Sequence, residues 1–216
     1  MTAVQIAPIA SRANVAAGTV YRYFPSKAEL ISELIADVSR EQLESVRRAA
    51  DAAPGPLSAL AAAVTTIAVD VLSQRKLAWG ILAELVLSQR KLAWGILAEP
   101  IDVDVTSSRI DSRKAIVAEI EARIAAAARA GPLPAQDASL TAAALIGALH
   151  EALVGPLAPN NLDDPQKLRE AVQTLTLLAL RAVGVMDARA RGLVVQAVLP
   201  VTPEPKPAET AAPVNA

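Results

Sequence analysis

Two short apolar patterns in the first thirty residues constrain the fold of this chain more than any other feature. Apolar residues recur at helical spacing within residues 5–13. In residues 16–24, Val20 and Phe24 share one apolar face, and the polar side chains between them point elsewhere. Asn14 begins a connector of two residues between the patterns. The chain is therefore predicted to begin with two short helices joined by a tight turn, the second of which exposes one face.

The exposed face belongs to a longer motif that extends to residue 30. The sequence there is Gly18-Thr-Val-Tyr-Arg-Tyr-Phe-Pro-Ser-Lys-Ala-Glu-Leu30. It resembles the signature of tetracycline-repressor (TetR) family transcriptional regulators. The resemblance implies an all-α homodimer in which an N-terminal helix-turn-helix domain binds operator DNA, and a larger helical domain binds a small effector and dimerises.

The resemblance also implies a set of DNA-contacting residues. Positions that meet base edges or nearby backbone are Ala16, Ala17, Thr19 and Arg22; positions that contact phosphate are Tyr21, Tyr23 and Lys27; and Gly18 allows close approach. Arginine reads guanine bidentately in the major groove, so Arg22 is the candidate specificity residue. The alternative is that the two tyrosines are packing aromatics and Arg22 is a solvated charge.

Charge distribution agrees with this interpretation. The whole chain has 21 basic and 22 acidic residues, yet the first acidic residue is Glu29. Arg12, Arg22 and Lys27 all precede it, so the predicted DNA-binding face is positive although the protein as a whole is not. This balance favours local, site-specific binding. The resemblance implies operator DNA as the partner, palindromic if the domain is complete.

Composition limits the remaining possibilities. The chain is 53% hydrophobic but only 2% aromatic, which favours packing of helices on helices. It has no cysteine, and no nucleophile with a base, carboxylate pair or metal cluster occurs at a useful spacing, so we expect no catalytic residues, metal or cofactor. Every long apolar run is interrupted by polar or charged residues, so we expect a cytoplasmic protein with no membrane span.

A capping box, Ser26 to Glu29, predicts the start of a helix that runs to about Ala50. Residues 51–56, Asp-Ala-Ala-Pro-Gly-Pro, predict its end. The predicted organisation has three parts. These are a DNA-binding domain with its linking helix at 1–48, an effector-binding and dimerisation domain at 49–186, and a mostly disordered tail at 187–216.

An exact duplication interrupts the second domain. Residues 71–84 recur letter for letter as 86–99, which favours a recent in-frame duplication or an assembly error over a repeat fold. An unbroken helix from residue 57 to 99 would be about 65 Å long, so we expect a kink or break near residues 73–74, Gly80 or residues 88–89.

Three residues of this domain are candidates for the effector pocket: Trp79, Trp94 and His150. Each tryptophan has the alternative of being a core or partly exposed side chain. His150 has no second ligand at metal spacing, so its expected role is structural or as a polar group of the pocket. An apolar lining would suit a small apolar effector.

Three further helices are predicted, at residues 111–130, 137–154 and 165–183. The last two are candidates for a four-helix dimer interface. The small residues of the first of them are Ala143, Ala144, Gly147 and Ala148, and the apolar face of the second has Leu168, Val172, Leu175, Ala179 and Ala182. The alternative is that both helices close the core of one subunit.

The resemblance has one departure. The family domain has a further helix before the one that begins near residue 5, and Met1 leaves no room for it, so we expect a chain truncated upstream. The leading hypothesis is a dimeric, ligand-responsive DNA-binding regulator, a repressor rather than an activator. The alternative is a helical, dimeric ligand-binding protein that has lost DNA binding, and an enzyme ranks third.

Overall fold

The computed structural model describes residues 6–85, 103–155, 157–159 and 164–197. These residues form helices and turns and no strand, so the predicted all-α class is confirmed. The helices of the described part are α1 (Ile6–Arg12), α2 (Ala17–Tyr23), α3 (Lys27–Asp51), α4 (Pro56–Leu85), α5 (Val103–Arg129), α6 (Ala138–Leu153), α7 (Pro165–Ala182) and α8 (Asp187–Gln196).

Helices α1 and α2 are the two predicted short helices, and a tight turn joins them. The N–H of Val15 donates to the carbonyl of Ala10 at 2.9 Å, and the N–H of Asn14 donates to that of Ser11 at 3.1 Å. Asn14 has φ of 54°, the left-handed conformation that asparagine adopts more readily than most residues. This pairing ends a helix with a Schellman turn, so the predicted connector at Asn14 and Val15 is confirmed.

A small apolar cluster holds the two helices together. Ile6, Ala10 and Val20 are buried in it, and Phe24 and Leu30 pack against them. Leu30 lies on α3, so the same cluster attaches the short helices to the long one. The predicted apolar face of Val20 and Phe24 is therefore directed inward.

Helix α3 links this N-terminal unit to the rest of the structure. The hydroxyl of Ser26 accepts the N–H of Glu29 at 3.1 Å, which confirms the predicted cap. Its 25 residues extend about 37 Å. Val46 and Ala50, near its end, are buried in the main core, where α3 packs on α4 and α5. The predicted domain boundary at residue 48 lies inside this one helix, and the division of the chain stays a prediction.

Helix α4 is central and continuous from Pro56 to Leu85. It packs against α3, α5, α6, α7 and α8. The helix has no break at residues 73–74 or Gly80, two of the three places where a kink or break was predicted, since a lone glycine costs only about 1 kcal/mol in a helix. Residues 88–89, the third predicted break, lie outside the described residues, as does the second copy of the duplicated segment.

One stretch of α4 is long and apolar enough to cross a membrane. It covers residues 56–73, and 67% of it is buried inside the structure. Burial of this kind is typical of the core helix of a folded domain, and such a helix satisfies the same test of length and composition.

Helix α5 begins at Val103, earlier than the predicted Asp111, and ends at Arg129 as predicted. Ile116, Ile120 and Ile124, which the sequence placed four residues apart, are all buried in the main core. The chain then turns at Gly131, whose φ of 89° belongs to the left-handed region that glycine tolerates.

Helices α6 and α7 begin with aspartate caps. The carboxylate of Asp137 accepts the N–H of Leu140, and that of Asp164 accepts the N–H groups of Gln166 and Lys167. The four small residues predicted for the dimer interface on α6 are all exposed. On the predicted apolar face of α7, Val172 and Ala179 are buried inside the subunit, where the helix packs on α4, so these two residues are not available to a dimer interface. Leu168 and Leu175 are half-buried and Ala182 is exposed.

The predicted disordered tail is wrong at its start. Residues 187–196 form α8, with Ala190 and Leu193 buried in the main core. Asp187 pairs with Arg181 of α7, and this pair joins α8 to the bundle. Asp187 also pairs with Arg191 one turn further along α8. The apolar spacing of Ala190, Leu193 and Val194 is too short to signal a helix in the sequence. Residues 198–216 lie outside the described part.

Candidate nucleic-acid interface

Three consecutive side chains of α2 project from the protein. Tyr21 is 52% exposed and Tyr23 is 67% exposed, and Arg22 between them is exposed as well. Large aromatic side chains at this exposure contribute little to the protein's own core. In the described part of the chain the tyrosines are not packing aromatics, and Arg22 is solvated, as the other half of that alternative expected.

Arg22 and Tyr23 contact each other. The guanidinium carbon of Arg22 lies 5.2 Å from the centroid of the Tyr23 ring. At an exposed site such a cation–π contact contributes about 0.5–1 kcal/mol. The contact restricts the arginine side chain at the surface of α2, which lowers the entropy that it would lose on meeting a partner.

The residues at the beginning of α2 have small side chains, so little of the protein covers the helix backbone there. Ala16, the residue before the helix, is exposed, and a Cβ added to Gly18 would meet no atom within 4 Å. The protein's own packing therefore leaves the space over Gly18 open to a partner. Ala17 and Thr19 are half-buried, and Ala17 packs against the cluster of α1, α2 and α3.

Lys27, the remaining predicted contact, is the first residue of α3. It follows the Ser26 cap directly, four residues after Tyr23, the last residue of α2. Its side chain lies outside the described residues. All eight predicted residues thus lie on α2, directly before it, or at the first residue of α3. Their roles in DNA binding stay predictions.

A polar cleft separates the start of α3 from α5. Its volume is about 490 Å³. It is lined by Ser26, Glu29, Ser32, Ser107, Ser108 and Asp111. The sequence contains no signal for this cleft, because the cleft lies between two helices that are distant in the chain.

Of the three candidates for the effector pocket, only His150 has a described side chain. It is half-buried on α6. Its pKa is lowered from 6.5 to about 4, chiefly by burial and also by Arg113 and Arg109, while Glu151 opposes the shift. His150 is therefore neutral at physiological pH. Trp79 lies on α4 but its side chain is outside the described residues, and Trp94 lies outside them entirely.

Asp70 is a half-buried acidic group that the sequence interpretation missed. It lies on the central helix α4, and burial raises the pKa of its carboxyl to about 6, although Arg48 lowers it in part. Its signal in the sequence was a single charge within the apolar run of residues 59–72. In the described part of the chain, no three acidic or histidine side chains gather as metal ligands do.

Comparisons with known proteins agree with the fold and with the N-terminal motif. Residues 1–34 match the model of a family described as bacterial regulatory proteins, tetR family, which confirms the resemblance. The chain is also similar to crystal structures of RolR without ligand and in complex with resorcinol, at 19% identity and TM-scores of 0.53 and 0.55. These alignments cover 89% and 88% of this chain and 86% and 82% of RolR. Comparison with curated proteins found no match.

Proposed function

We propose that this chain, whose first 34 residues match the tetR-family model, is a ligand-responsive transcriptional repressor that binds operator DNA through α2. One observation carries the proposal. The α1–α2 pair has an internal apolar cluster of its own and exposes Tyr21, Arg22 and Tyr23, three consecutive residues of the second helix. A helix that packs one face and projects basic and aromatic side chains from the other fits the major groove.

The proposed contacts divide into two kinds. Arg22, with Ala16, Ala17 and Thr19, meets base edges or nearby backbone and supplies sequence preference. Tyr21, Tyr23 and Lys27 contact phosphates and fix the register of the helix on the duplex. Gly18 permits the approach of α2, since nothing in the protein fills the space above it.

The proposed active form is a homodimer. The exposed face of α6 combines Leu140, which is 69% exposed, with Ala143, Ala144, Gly147 and Ala148. Small residues allow close approach of two helices, and the association of copies across this face would bury Leu140. A two-fold dimer would then require an operator with two-fold symmetry. Sedimentation of Gly147→Glu against the wild type tests this face, and an unchanged dimer would contradict it.

The proposed effector is a small molecule bound in the helical domain, within residues 49–186. RolR, which shares the fold, was crystallised with resorcinol, and a small aromatic of that kind fits an interior made of alanine, leucine and valine. Trp79, Trp94 and His150 remain the proposed pocket residues. Effector binding is proposed to release the DNA, and the protein is proposed to be cytoplasmic.

Selection of binding sites from a pool of random duplexes tests the function. The purified full-length chain is expected to enrich one sequence with two-fold symmetry, and a transcription assay with that site in a promoter is expected to show repression. Absence of any enriched sequence would contradict the proposal. If the same preparation still formed dimers and bound a ligand, the alternative of a ligand-binding protein without DNA binding would be supported.

A further inference from the structure

Four charged residues hold the end of α3 against α5. Arg47 Nε donates to Oε2 of Glu119 at 2.9 Å, and Arg123 Nε donates to the other carboxylate oxygen of Glu119 at 2.8 Å. Arg123 also pairs with Asp51, one turn after Arg47 on α3, at 2.8 Å. Glu119 is therefore joined to α3 at two points one turn apart, directly through Arg47 and indirectly through Arg123.

The buried contacts of α3 lie at the same end of the helix. In the described part of the chain, Val46 and Ala50 are its buried side chains, and residues 28–45 are half-buried or exposed. At the other end, the polar cleft separates the start of α3 from α5. The direction of α3 relative to the helical domain is therefore determined chiefly where Arg47 and Asp51 meet α5.

The unit proposed to contact DNA lies at the opposite end of α3. Leu30 packs against the cluster of α1 and α2, so these two helices follow the first turn of α3. The helix extends about 30 Å from Arg47 back to Lys27, and a rotation of about 5° at Arg47 would displace its start by roughly 2.6 Å. Opposite displacements in two subunits would change the separation of their α2 helices by roughly 5 Å, more than the ~3.4 Å between successive base pairs.

We infer that Glu119 is a positioning residue for DNA binding: through Arg47 and Arg123 it fixes the direction of α3, and so the distance between the two α2 helices of the dimer. Half-sites on one face of DNA recur about every 34–36 Å, and a dimer that already holds its recognition helices at the required distance pays less ordering entropy on binding. The inference rests on the proposed function, because only a dimer that contacts two half-sites has such a distance to fix.

Binding to duplexes of altered half-site spacing tests the inference. The half-sites of the selected site are moved apart or together by one or two base pairs, and the full-length wild type is expected to lose affinity at least about tenfold. Glu119→Gln is expected to bind the unaltered site about tenfold more weakly, because fewer molecules hold the competent separation, and to lose less than about threefold when the spacing changes. Base preference within each half-site is expected to stay the same, since α2 is unaltered.

Three further variants separate positioning from a general loss of stability. Glu44→Gln breaks an exposed pair with Arg48 on the same helix and should behave as the wild type. Thr65→Val removes half of a buried hydroxyl pair between α4 and α7, so it should lower the melting temperature and keep the wild-type spacing preference. Arg47→Met removes only the direct link from α3 to Glu119, at an exposed residue, and should reproduce the weaker spacing preference if Glu119→Gln does not fold.

A second measurement does not depend on DNA. The chain has no cysteine, so spin labels at Glu33→Cys on α3 and Gln173→Cys on α7, both exposed positions, report the distance between these two helices. The distribution of distances is expected to be broader with Glu119→Gln or Arg47→Met than in the wild type, and unchanged with Thr65→Val. An unchanged distribution or an unchanged spacing preference in both Glu119→Gln and Arg47→Met would overturn the inference. Failure of the wild type to bind any duplex would instead contradict the proposed function.

Discussion

The guanidinium Nε of Arg47 on α3 donates a hydrogen bond of 2.9 Å to Oε2 of Glu119 on α5. The other oxygen of Glu119 accepts from Arg123 Nε at 2.8 Å, and Arg123 also pairs with Asp51 at 2.8 Å. Glu119 is only 9% exposed. These four residues join the C-terminal half of the linking helix to the helical domain.

Glu119→Gln is expected to lower the free energy of unfolding by about 1–3 kcal/mol, because both of its charged hydrogen bonds weaken. Burial raises the pKa of Glu119, but the bonds from Arg47 and Arg123 outweigh it and hold the pKa below its usual value. Denaturant unfolding measures the change. The control Glu44→Gln breaks an exposed pair with Arg48 and should cost less than about 0.5 kcal/mol. Equal losses in both variants would contradict the account.

Thr65 and Thr176 form a buried hydroxyl pair between α4 and α7, with 3.1 Å between their Oγ1 atoms. Either single substitution to valine leaves one hydroxyl without its partner and is expected to cost about 1–3 kcal/mol. The double substitution removes both hydroxyls, so its cost should be smaller than the sum of the two single costs. Additive costs, measured by thermal or denaturant unfolding, would show that the pair does not stabilise the interface of α4 and α7.

The pH dependence of stability has two opposed contributions. Burial raises the pKa of Asp70 from 3.8 to about 6, so stability falls as pH rises through this window, where the folded state binds more protons. Burial, Arg113 and Arg109 lower the pKa of His150 from 6.5 to about 4, although Glu151 raises it in part. The unfolded state binds more protons in this window, so stability falls as pH drops through it. Relative to the wild type, Asp70→Asn should gain stability as pH rises from 4 to 6.5.

The matching variant, His150→Gln, should change in the opposite direction and lose relative stability over the same rise in pH. Melting temperatures recorded at half-unit steps of pH, with Asp37→Asn as the control, measure both slopes. Parallel curves for all four proteins would show that neither group carries a shifted pKa.

Local signals predicted the parts of the fold that local chemistry determines. The Ser26 cap, the turn at Asn14 and the isoleucine spacing of α5 each depend on residues within one or two turns, and each is confirmed. The direction of the apolar face of α7 was not predictable, because a face such as Val172 and Ala179 suits a subunit core and a dimer interface equally well.

The candidate functional residues also fall into those that local sequence determines and those that depend on contacts between distant helices. The exposed Tyr21, Arg22 and Tyr23 follow from the helical period and a motif, and the sequence identified them. Asp70 depends on which helices surround α4, and Glu119 depends on α3 lying beside α5. Contacts between helices distant in sequence leave no periodic signal, so the sequence missed both residues.

Arg22→Ala and Lys27→Ala are expected to affect DNA binding differently. Without Arg22, the protein should no longer prefer one base pair in each half-site. The free-energy difference between the correct and the wrong base at that position should fall by about 1–3 kcal/mol. Loss of Lys27 should weaken binding to all duplexes and reduce the salt slope by about one unit. Arg129→Ala, at the exposed end of α5, is the control. Competition titrations with single-base variants of the selected site distinguish these outcomes, and identical profiles for the two variants would contradict the assigned roles.

The central claim is that this chain binds DNA at a specific site through α2. The most direct test measures the affinity of the chain for the selected site and for a scrambled duplex of equal length, at several salt concentrations. The account predicts a preference of about 10³-fold or more for the selected site, with affinity falling linearly in the logarithm of salt concentration. Equal affinity for the two duplexes at every salt concentration would contradict it.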